Sequence, residues 1–328
     1  VSLEEIKILP GARKAPIPDF IAVQLATLVK EPPAGDGWLH ELKFDGYRMI
    51  CHLAHGKVHF WSRNQKDWSS KFPGIAKAIS SIKATSAIID GEVVVMDAQG
   101  RTSFQKLQKS MGSGGTTKFI FEVFDLIYLD GFNLTRTPLV DRKLLLKKLI
   151  DSAGNTTTLR YSDHQDGNGI LFFKKACEYG LEGIVSKRAD SAYDSTRNRS
   201  WLKIKCSKQQ EFVIAGYTPS SKGLPGFGSL ILGVYEKGDL VYAGRVGTGF
   251  SLKGRAELGK QLDKIGRPTP AFAIKPNARG LAEARWTEPK LVAEVAFTEW
   301  TSEGSIRHPS FQGLREDKRP EEVRRELA

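Results

Sequence analysis

The sequence predicts an α+β chain in two parts, a larger domain of antiparallel sheets with flanking helices and a smaller all-β domain after it. Three observations carry this. Runs rich in β-branched and aromatic residues recur from Trp38 to about Lys205, with turn signals between them. A few segments among them have the apolar period of helices. After "CSKQQ" the texture changes to short strands with Gly-rich turns. The boundary falls near 207–210, giving domains 1–207 and 208–328, and 328 residues suffice for two cores.

Residues 1–18 are irregular, with Pro10, Gly11, Pro16 and Pro18, and "EPPAGDG" breaks the apolar "IAVQLATLV" that follows. "WLHELKF", "YRMICHLAHGKVHFWSR" and "AIIDGEVVVMD" read as strands. "GRTSFQKLQKSM" reads as a short helix before the Gly-rich loop "GSGGTT". "KFIFEVFDLIYLDG" is a further strand region. "PLVDRKLLLKKLIDSAG" is a helix with Asp141 near its start and Gly154 to end it, and "GNGILFFKKACEYG" is another with Gly180 at its C-cap. "EGIVSKR" and "SWLKIK" are short strands. Beyond them, "EFVIAGYTP", "GSLILGVYEKGDLVYAGRVGTGF" and "LVAEVAFTEW" are strands interrupted by one helical segment, "LKGRAELGKQLDKIG". Five or so strands of this kind fit a small barrel of the oligonucleotide-binding (OB) type.

Composition narrows the class. No apolar run approaches the ~20 residues of a membrane helix, and the N-terminus lacks the apolar core of a secretory signal. The chain begins at Val1, which reads as a processed chain or a piece of a larger polypeptide. Cys51, Cys177 and Cys206 form no C-x-x-C pair and have no His at zinc-ligand spacing. Neither a structural zinc nor a disulfide framework is expected, and a reducing, intracellular setting fits. The net charge of +12, from 49 basic and 37 acidic residues, points to a polyanionic partner.

The short stretch "ELKFDGYR" places Lys43, Asp45, Gly46 and Arg48 within six residues. Taken alone, Asp-Gly reads as a tight hairpin turn and Lys43 as an exposed strand lysine. Further clusters change its weight: "SRN" at 62–64, "DGE" at 90–92, "FEVFDL" at 121–126, "EGIVSKR" at 182–188, "WLKIK" at 201–205 and "RHPSFQGLREDK" at 307–318. Each is bland by itself; their order and separation are not.

Together they resemble the covalent nucleotidyltransferase superfamily of ATP-dependent DNA ligases, RNA ligases and mRNA capping enzymes. Lys-x-Asp-Gly-x-Arg, Glu-Gly-x-x-x-Lys and Lys-x-Lys form a specific set, and the resemblance runs from about Pro18 to Lys318. "LATLVKEPPAGDGWLHELKFDGYR", "GYTPSSKGLPGFGSLILGVYEKGDLVYAGRVGTGF" and "HPSFQGLREDK" are most similar to the ligase domain of the bacterial end-joining ligases. The resemblance implies an adenylation domain followed by an OB-fold barrel, and a DNA ligase that seals nicks through a lysine adenylate and a DNA adenylate in double-strand-break repair. Its partners would be duplex DNA, polymerase and phosphoesterase modules of the same polypeptide, and a Ku-type end-binding protein. A monomer in the bacterial cytoplasm, nucleoid-associated, is the corresponding expectation.

The chemistry requires these residue types. A free lysine has a pKa of ~10.4, so roughly one in a few thousand is neutral at pH 7. Lys43 must be deprotonated to attack the α-phosphorus of ATP, and neighbouring cations and burial between Leu42 and Phe44 would favour the neutral amine. By resemblance, Glu41 lies near the adenine edge, Arg48 reaches the ribose or its phosphate, Glu92 bonds ribose hydroxyls and Phe124 stacks on adenine, with Lys187 on the other side of that sandwich. Lys203 and Lys205 share one strand face and meet the α-phosphate. Glu182, with Glu92 as a second ligand, would hold Mg²⁺ or Mn²⁺. Arg63 contacts the nucleotide or a DNA phosphate. Arg315 and Lys318 orient the β- and γ-phosphates, and Asp317 between them has no assigned role. An RNA ligase, a GTP-using capping enzyme and a non-catalytic nucleic-acid-binding relative are the competing readings; nucleotide choice and labelling separate them.

Overall fold

The computed structural model describes every residue except 113–117, 155, 221, 222, 224, 279, 327 and 328. The Gly-rich "GSGGTT" lies, but for its first glycine, outside the described residues. The chain divides into two compact units, Val1–Cys206 and a second that begins at Ser207.

The first unit holds two sheets. One runs in the order β1 (Arg13–Lys14), β8 (Phe132–Asn133), β7 (Ile120–Leu129), β6 (Ser86–Val94), β4 (Tyr47–Ala54), β5 (Lys57–Ser62), and β9 (Leu159–Tyr161) pairs with β7 in parallel. The other runs β10 (Gln165–Asp166), β3 (Trp38–Leu42), β11 (Gly183–Arg188), β12 (Arg197–Lys205), β2 (Leu25–Leu28), antiparallel except at β12–β2. Around them lie α1 (Leu3–Lys7), α2 (Pro73–Ile79), α3 (Phe104–Gly112), α4 (Leu139–Asp151) and α5 (Gly169–Glu178). β7 is buried at every position, as a strand apolar but for Glu122 and Asp125 predicts when both faces are covered. One face carries Phe121, Val123 and Leu126 into a core with Met49, Phe60 and the α4 leucines. The other carries Phe124 and Ile127, with Ile50 and Ile88 of the same sheet, against Trp201 of the second sheet. No helix among the described residues is long and apolar enough to cross a membrane.

The tight hairpin expected at Asp45-Gly46 is not there. β3 and β4 belong to different sheets, and the segment between them carries the chain across. Gly46 is needed for close approach: a Cβ on it would lie 2.3 Å from the Val93 carbonyl oxygen.

The expectation of unpaired cysteines is also corrected. Cys177, in the last turn of α5, is disulfide-bonded to Cys206, the residue after β12. Their separation of 29 residues carries no pairing signal. Folding brings the end of α5 beside the end of β12, where the Cys206 N–H donates to the Glu182 carbonyl at 2.9 Å. Cys51 is buried and free.

The second unit is antiparallel, in the order β15 (Asp239–Val246), β14 (Ser229–Glu236), β13 (Lys208–Thr218), β17 (Arg285–Phe297), β16 (Gly266–Arg267), with β20 (Ser310–Leu314) also on β17. α6 (Leu252–Lys264) lies between β15 and β16 in sequence, and β18 (Glu299–Trp300) and β19 (Ile306–Arg307) form a separate pair. A closed barrel was expected; among the described residues no pairing joins β15 to β16 or β20. β17 is long enough for two short strands to share its edge, so the hydrogen-bonded path stays open. Phe212, Ile214, Leu232 and Val295 lie in its core.

Candidate active site

Lys43 follows β3 directly, and its backbone N–H donates to the Gly183 carbonyl at 2.9 Å. That bond continues the β3–β11 pairing and brings Lys43 beside Glu182, just before β11. The Lys43 ammonium lies 2.6 Å from Glu182 Oε1. Gly183 is obligatory here: its φ is +150°, and a Cβ would sit 2.0 Å from the Ile204 carbonyl oxygen. Burial pushes the Lys43 amine towards neutrality, but Glu182, helped by Glu92 and opposed by Lys205, outweighs it and raises the pKa. The neutral amine expected from nearby cations is thus not what this arrangement favours, because a carboxylate is the nearest charge.

The rest of the motif is tied down locally. The Asp45 N–H donates to Thr102 Oγ1, and its carboxylate accepts from the Phe104 N–H at the start of α3. The Gly46 N–H donates to Glu92 Oε1 at 3.2 Å. Arg48 forms a two-pronged pair with Asp90, at 2.8 and 2.6 Å, and Tyr193 donates to the same carboxylate. The Arg48 guanidinium also lies 5.0 Å from the Phe124 ring centre and 5.3 Å from Trp201. These partners fix the guanidinium between the two sheets. Arg63 comes just after β5; Met49 faces Ser62 across β4–β5, so Arg63 emerges beside the Arg48 end of β4.

Glu41 lies deeper. It is buried on β3 and takes two ammonium groups, Lys143 from α4 at 2.7 Å and Lys187 from β11 at 2.8 Å. Burial pushes the Glu41 carboxyl up, but the two lysines outweigh it and hold it below its usual range. Lys187 is pulled down to about 8 by burial, which its bond to Glu41 only partly offsets. Its ammonium sits 4.3 Å from the Phe124 ring centre and 4.2 Å from Trp201. Phe124 and Lys187 are therefore in direct contact, with Trp201 beside them.

Across the first sheet, Arg48 faces Glu92, Glu92 faces Glu122, and Glu122 faces Arg160 of β9. Directly opposed residues on paired strands share a face, so this is one row of charges: positive, negative, negative, positive. Burial raises the Glu122 carboxyl to about 7, against the pull of Arg160. Glu122 and Lys43 line one cavity of about 470 Å³, with Phe44, Thr102, Ser162 and His164 also in its wall. Lys203 and Lys205 lie on β12, with Val185 facing Lys203 and Gly183 facing Lys205.

The carboxylates fit a divalent cation sparsely. Glu182 Oε2 is buried without a hydrogen-bond partner, an acceptor suited to a cation, and Glu92 bears on the same lysine. Among the described residues no group of three or more acidic, His or Cys side chains gathers for a metal, so two carboxylates would be completed by waters and phosphate oxygens.

Arg315 and Lys318 belong to the second unit. Arg315 makes a two-pronged pair with Asp317, at 2.9 and 2.8 Å, and also meets Glu294 at 3.2 Å. Lys318 lies 2.9 Å from Glu211. Asp317, unassigned from sequence, is buried and sets the plane of the Arg315 guanidinium.

Sequence reasoning missed Lys143, Asp90, Tyr193, Trp201, Glu122 and Glu294. For Lys143 a signal existed: Leu139, Lys143, Leu146 and Ile150 recur at helical spacing. A lysine on an apolar helix face needs a buried partner, and Glu41 is that partner.

Comparison with known proteins follows the same lines. Residues 22–205 match the family described as "ATP dependent DNA ligase domain", and residues 224–318 match "ATP dependent DNA ligase C terminal region". The "Multifunctional non-homologous end joining protein LigD" of Pseudomonas aeruginosa is 37% identical over 313 residues, 94% of this chain and 37% of that protein. The LigD DNA repair protein of Mycobacterium tuberculosis is 38% identical over 291 residues, 88% of this chain and again 37% of the relative. The chain thus spans little more than a third of these relatives. A solved structure, "mycobacterial DNA ligase D complexed with ATP and MES", is 36% identical with a TM-score of 0.67, covering 93% of this chain and 98% of that one. A family match over more than half of the sequence and a solved relative aligned along nearly its whole length agree: the chain belongs to the ATP-dependent DNA ligase family.

Proposed function

We propose that the protein seals DNA strands in three steps, with Lys43 as the nucleophile. Lys43 attacks the α-phosphorus of ATP; a P–N bond forms, the bond to pyrophosphate breaks, and AMP remains on the lysine. A DNA 5′-phosphate then takes the AMP and frees the lysine. The adjacent 3′-hydroxyl attacks that 5′-phosphate, forms the phosphodiester and expels AMP. The observation that carries this reading is Lys43 itself, on a cavity wall with Glu182 bonded to it and Glu92 and Lys205 acting on its charge.

Each side chain then has a task. Lys43 must leave Glu182 and lose its proton before it attacks. Glu41, Phe124 and Lys187 receive the base, and Glu92 and Arg48 the ribose. Lys203 and Lys205 offset the charge that builds on the α-phosphate. Held by Glu182 and Glu92, Mg²⁺ or Mn²⁺ would supply further positive charge beside that phosphate. Arg315 and Lys318 align the leaving pyrophosphate. Arg63 contacts the nucleotide or a DNA phosphate.

The substrate is nicked or broken duplex DNA, gripped through its phosphates by a chain of net charge +12. A role in end joining, with polymerase and phosphoesterase modules and a Ku-type partner, extends what the LigD relatives are named for. Incubation with α-labelled ATP or GTP and a divalent cation, followed by a denaturing gel beside Lys43→Ala, tests the first step. Label from ATP alone, lost in the variant, is the expected result. Label surviving in Lys43→Ala would sink the mechanism.

A further inference from the structure

The two half-cystines both belong to the first unit, and each adjoins a charged residue of the candidate site. Cys177 stands in the last turn of α5, and the chain beyond it turns directly into Glu182. That turn is held tightly: the Gly180 N–H donates to the Cys177 carbonyl and the Leu181 N–H to the Ala176 carbonyl, both at 3.0 Å. Cys206 comes directly after Lys205. Its N–H donates to the Glu182 carbonyl at 2.9 Å, next to the place where Gly183 faces Lys205 across β11–β12. The disulfide therefore closes a small ring made of the turn 177–182, the Glu182–Cys206 hydrogen bond and the S–S bond. Lys43 is tied beside that ring twice, by its N–H on the Gly183 carbonyl and by its ammonium on Glu182 Oε1. Cys177 and Cys206 are both partly exposed, so a thiolate can reach the bridge. Cys51 is different: it is buried, and burial pushes its thiol well above the usual range, which leaves it inert. In thiol-reducing compartments, where chromosomal DNA lies, disulfides are mostly transient and redox-sensing.

We propose that Cys177–Cys206 is a reversible thiol–disulfide site that sets the rate of lysine adenylylation. The inference rests on the reading of Lys43, Glu182 and Lys205 given above. A dithiol supplies the electrons. One of its thiolates attacks a sulfur of the bridge, a mixed disulfide forms, and the second thiolate displaces the cysteine still bound. The two cysteines gain two electrons and two protons, and the dithiol leaves as its own disulfide. In the bridged form the ring holds Glu182 and Lys205 to one geometry around Lys43. In the reduced form the end of α5 and the end of β12 lose their covalent tie, and the charges at the α-phosphate are held less closely. Looser positioning of groups that act in the transition state lowers the maximal rate and leaves ATP binding nearly unchanged.

The test poises the full chain with reduced or oxidised dithiothreitol and measures labelling from α-labelled ATP over a range of ATP concentrations, well below the melting point of either form. Alkylation and peptide mass, in parallel, count and place the free thiols. Bridged wild type should label with a maximal rate at least about threefold above reduced wild type, and with a KM for ATP within about twofold. Reduction of the bridged sample should reverse the gain. Cys177→Ser and Cys206→Ser should label at the reduced rate in both conditions, and Cys51→Ala should keep the full response. The wild-type comparison decides the matter if the serine variants do not fold. Equal maximal rates in the two forms, even with different melting points, would make the bridge a structural tie and overturn the proposal. So would a bridge that dithiothreitol leaves intact in the folded protein, or a response that survives in Cys177→Ser. Wild type that labels in neither form, or Lys43→Ala that labels, removes the reading of the site, and the proposal with it.

Discussion

Lys43 Nζ and Glu182 Oε1 lie 2.6 Å apart, so the lysine proposed as nucleophile and the carboxylate proposed for the metal are each other's partner. They meet because the β3–β11 pairing aligns the last residue before one turn with the last before the other strand. Glu182→Gln keeps the shape and removes the charge. It should slow lysine labelling by on the order of a hundredfold or more, because the proposed metal would lose a carboxylate ligand beside the reacting phosphate. Labelling at the wild-type rate would remove Glu182 from the site.

Glu41 carries the deepest charge balance in the first unit. Glu41→Ala leaves Lys143 and Lys187 buried without their shared carboxylate. The expected cost is about 3–5 kcal/mol of stability, read by urea unfolding. Adding Lys187→Met should recover part of it. A loss under ~1 kcal/mol would show that the buried lysines find other partners or shed their protons at little cost.

Glu122 predicts a pH dependence. Its carboxyl titrates at about 7 in the folded chain, against 4.5 as the ordinary value. The folded state therefore binds the extra proton between those values. The contribution is fully present below pH 4.5 and is lost as pH rises through about 7. Compared with Glu122→Gln, wild type should lose on the order of 2–3 kcal/mol of stability between pH 4.5 and 8. Parallel curves for the two proteins across that window would place the carboxyl in a wetter setting.

The Cys177–Cys206 bridge closes a loop of 29-residue separation, which stabilises by about 3–4 kcal/mol through the unfolded state. Cys177→Ser should melt below wild type without reductant and together with it in excess dithiothreitol. Equal melting in both conditions would mean the bridge contributes nothing.

Some of this was legible from sequence and some was not. β7 and α4 could be read because burial imposes a local pattern, a mostly apolar run in one and a leucine stripe in the other. Lys43, Glu182 and the β12 lysines could be picked out because the motifs that hold them resemble those of the nucleotidyltransferases, not because any local pattern marks them. The partners of those residues were another matter. Asp90 reads as part of a turn, yet it anchors Arg48; Glu122 reads as one residue of a strand, yet it faces Glu92 from the next. Asp45-Gly46 has the composition of a hairpin, but whether its flanking strands pair is decided by sheets formed far away in sequence. The disulfide and the open edge of the second sheet depend on the same long-range placement.

The Glu41 cluster carries a consequence for how the chain folds. Its carboxylate is bonded to one lysine 102 residues away and another 146 away. Such contacts close large loops, whose entropy is lost before any reward is gained. The cluster therefore closes only once β3, β11 and α4 have come together. If Glu41 lines the nucleotide site as proposed, ATP binds the chain in which these elements have met and stabilises it by mass action.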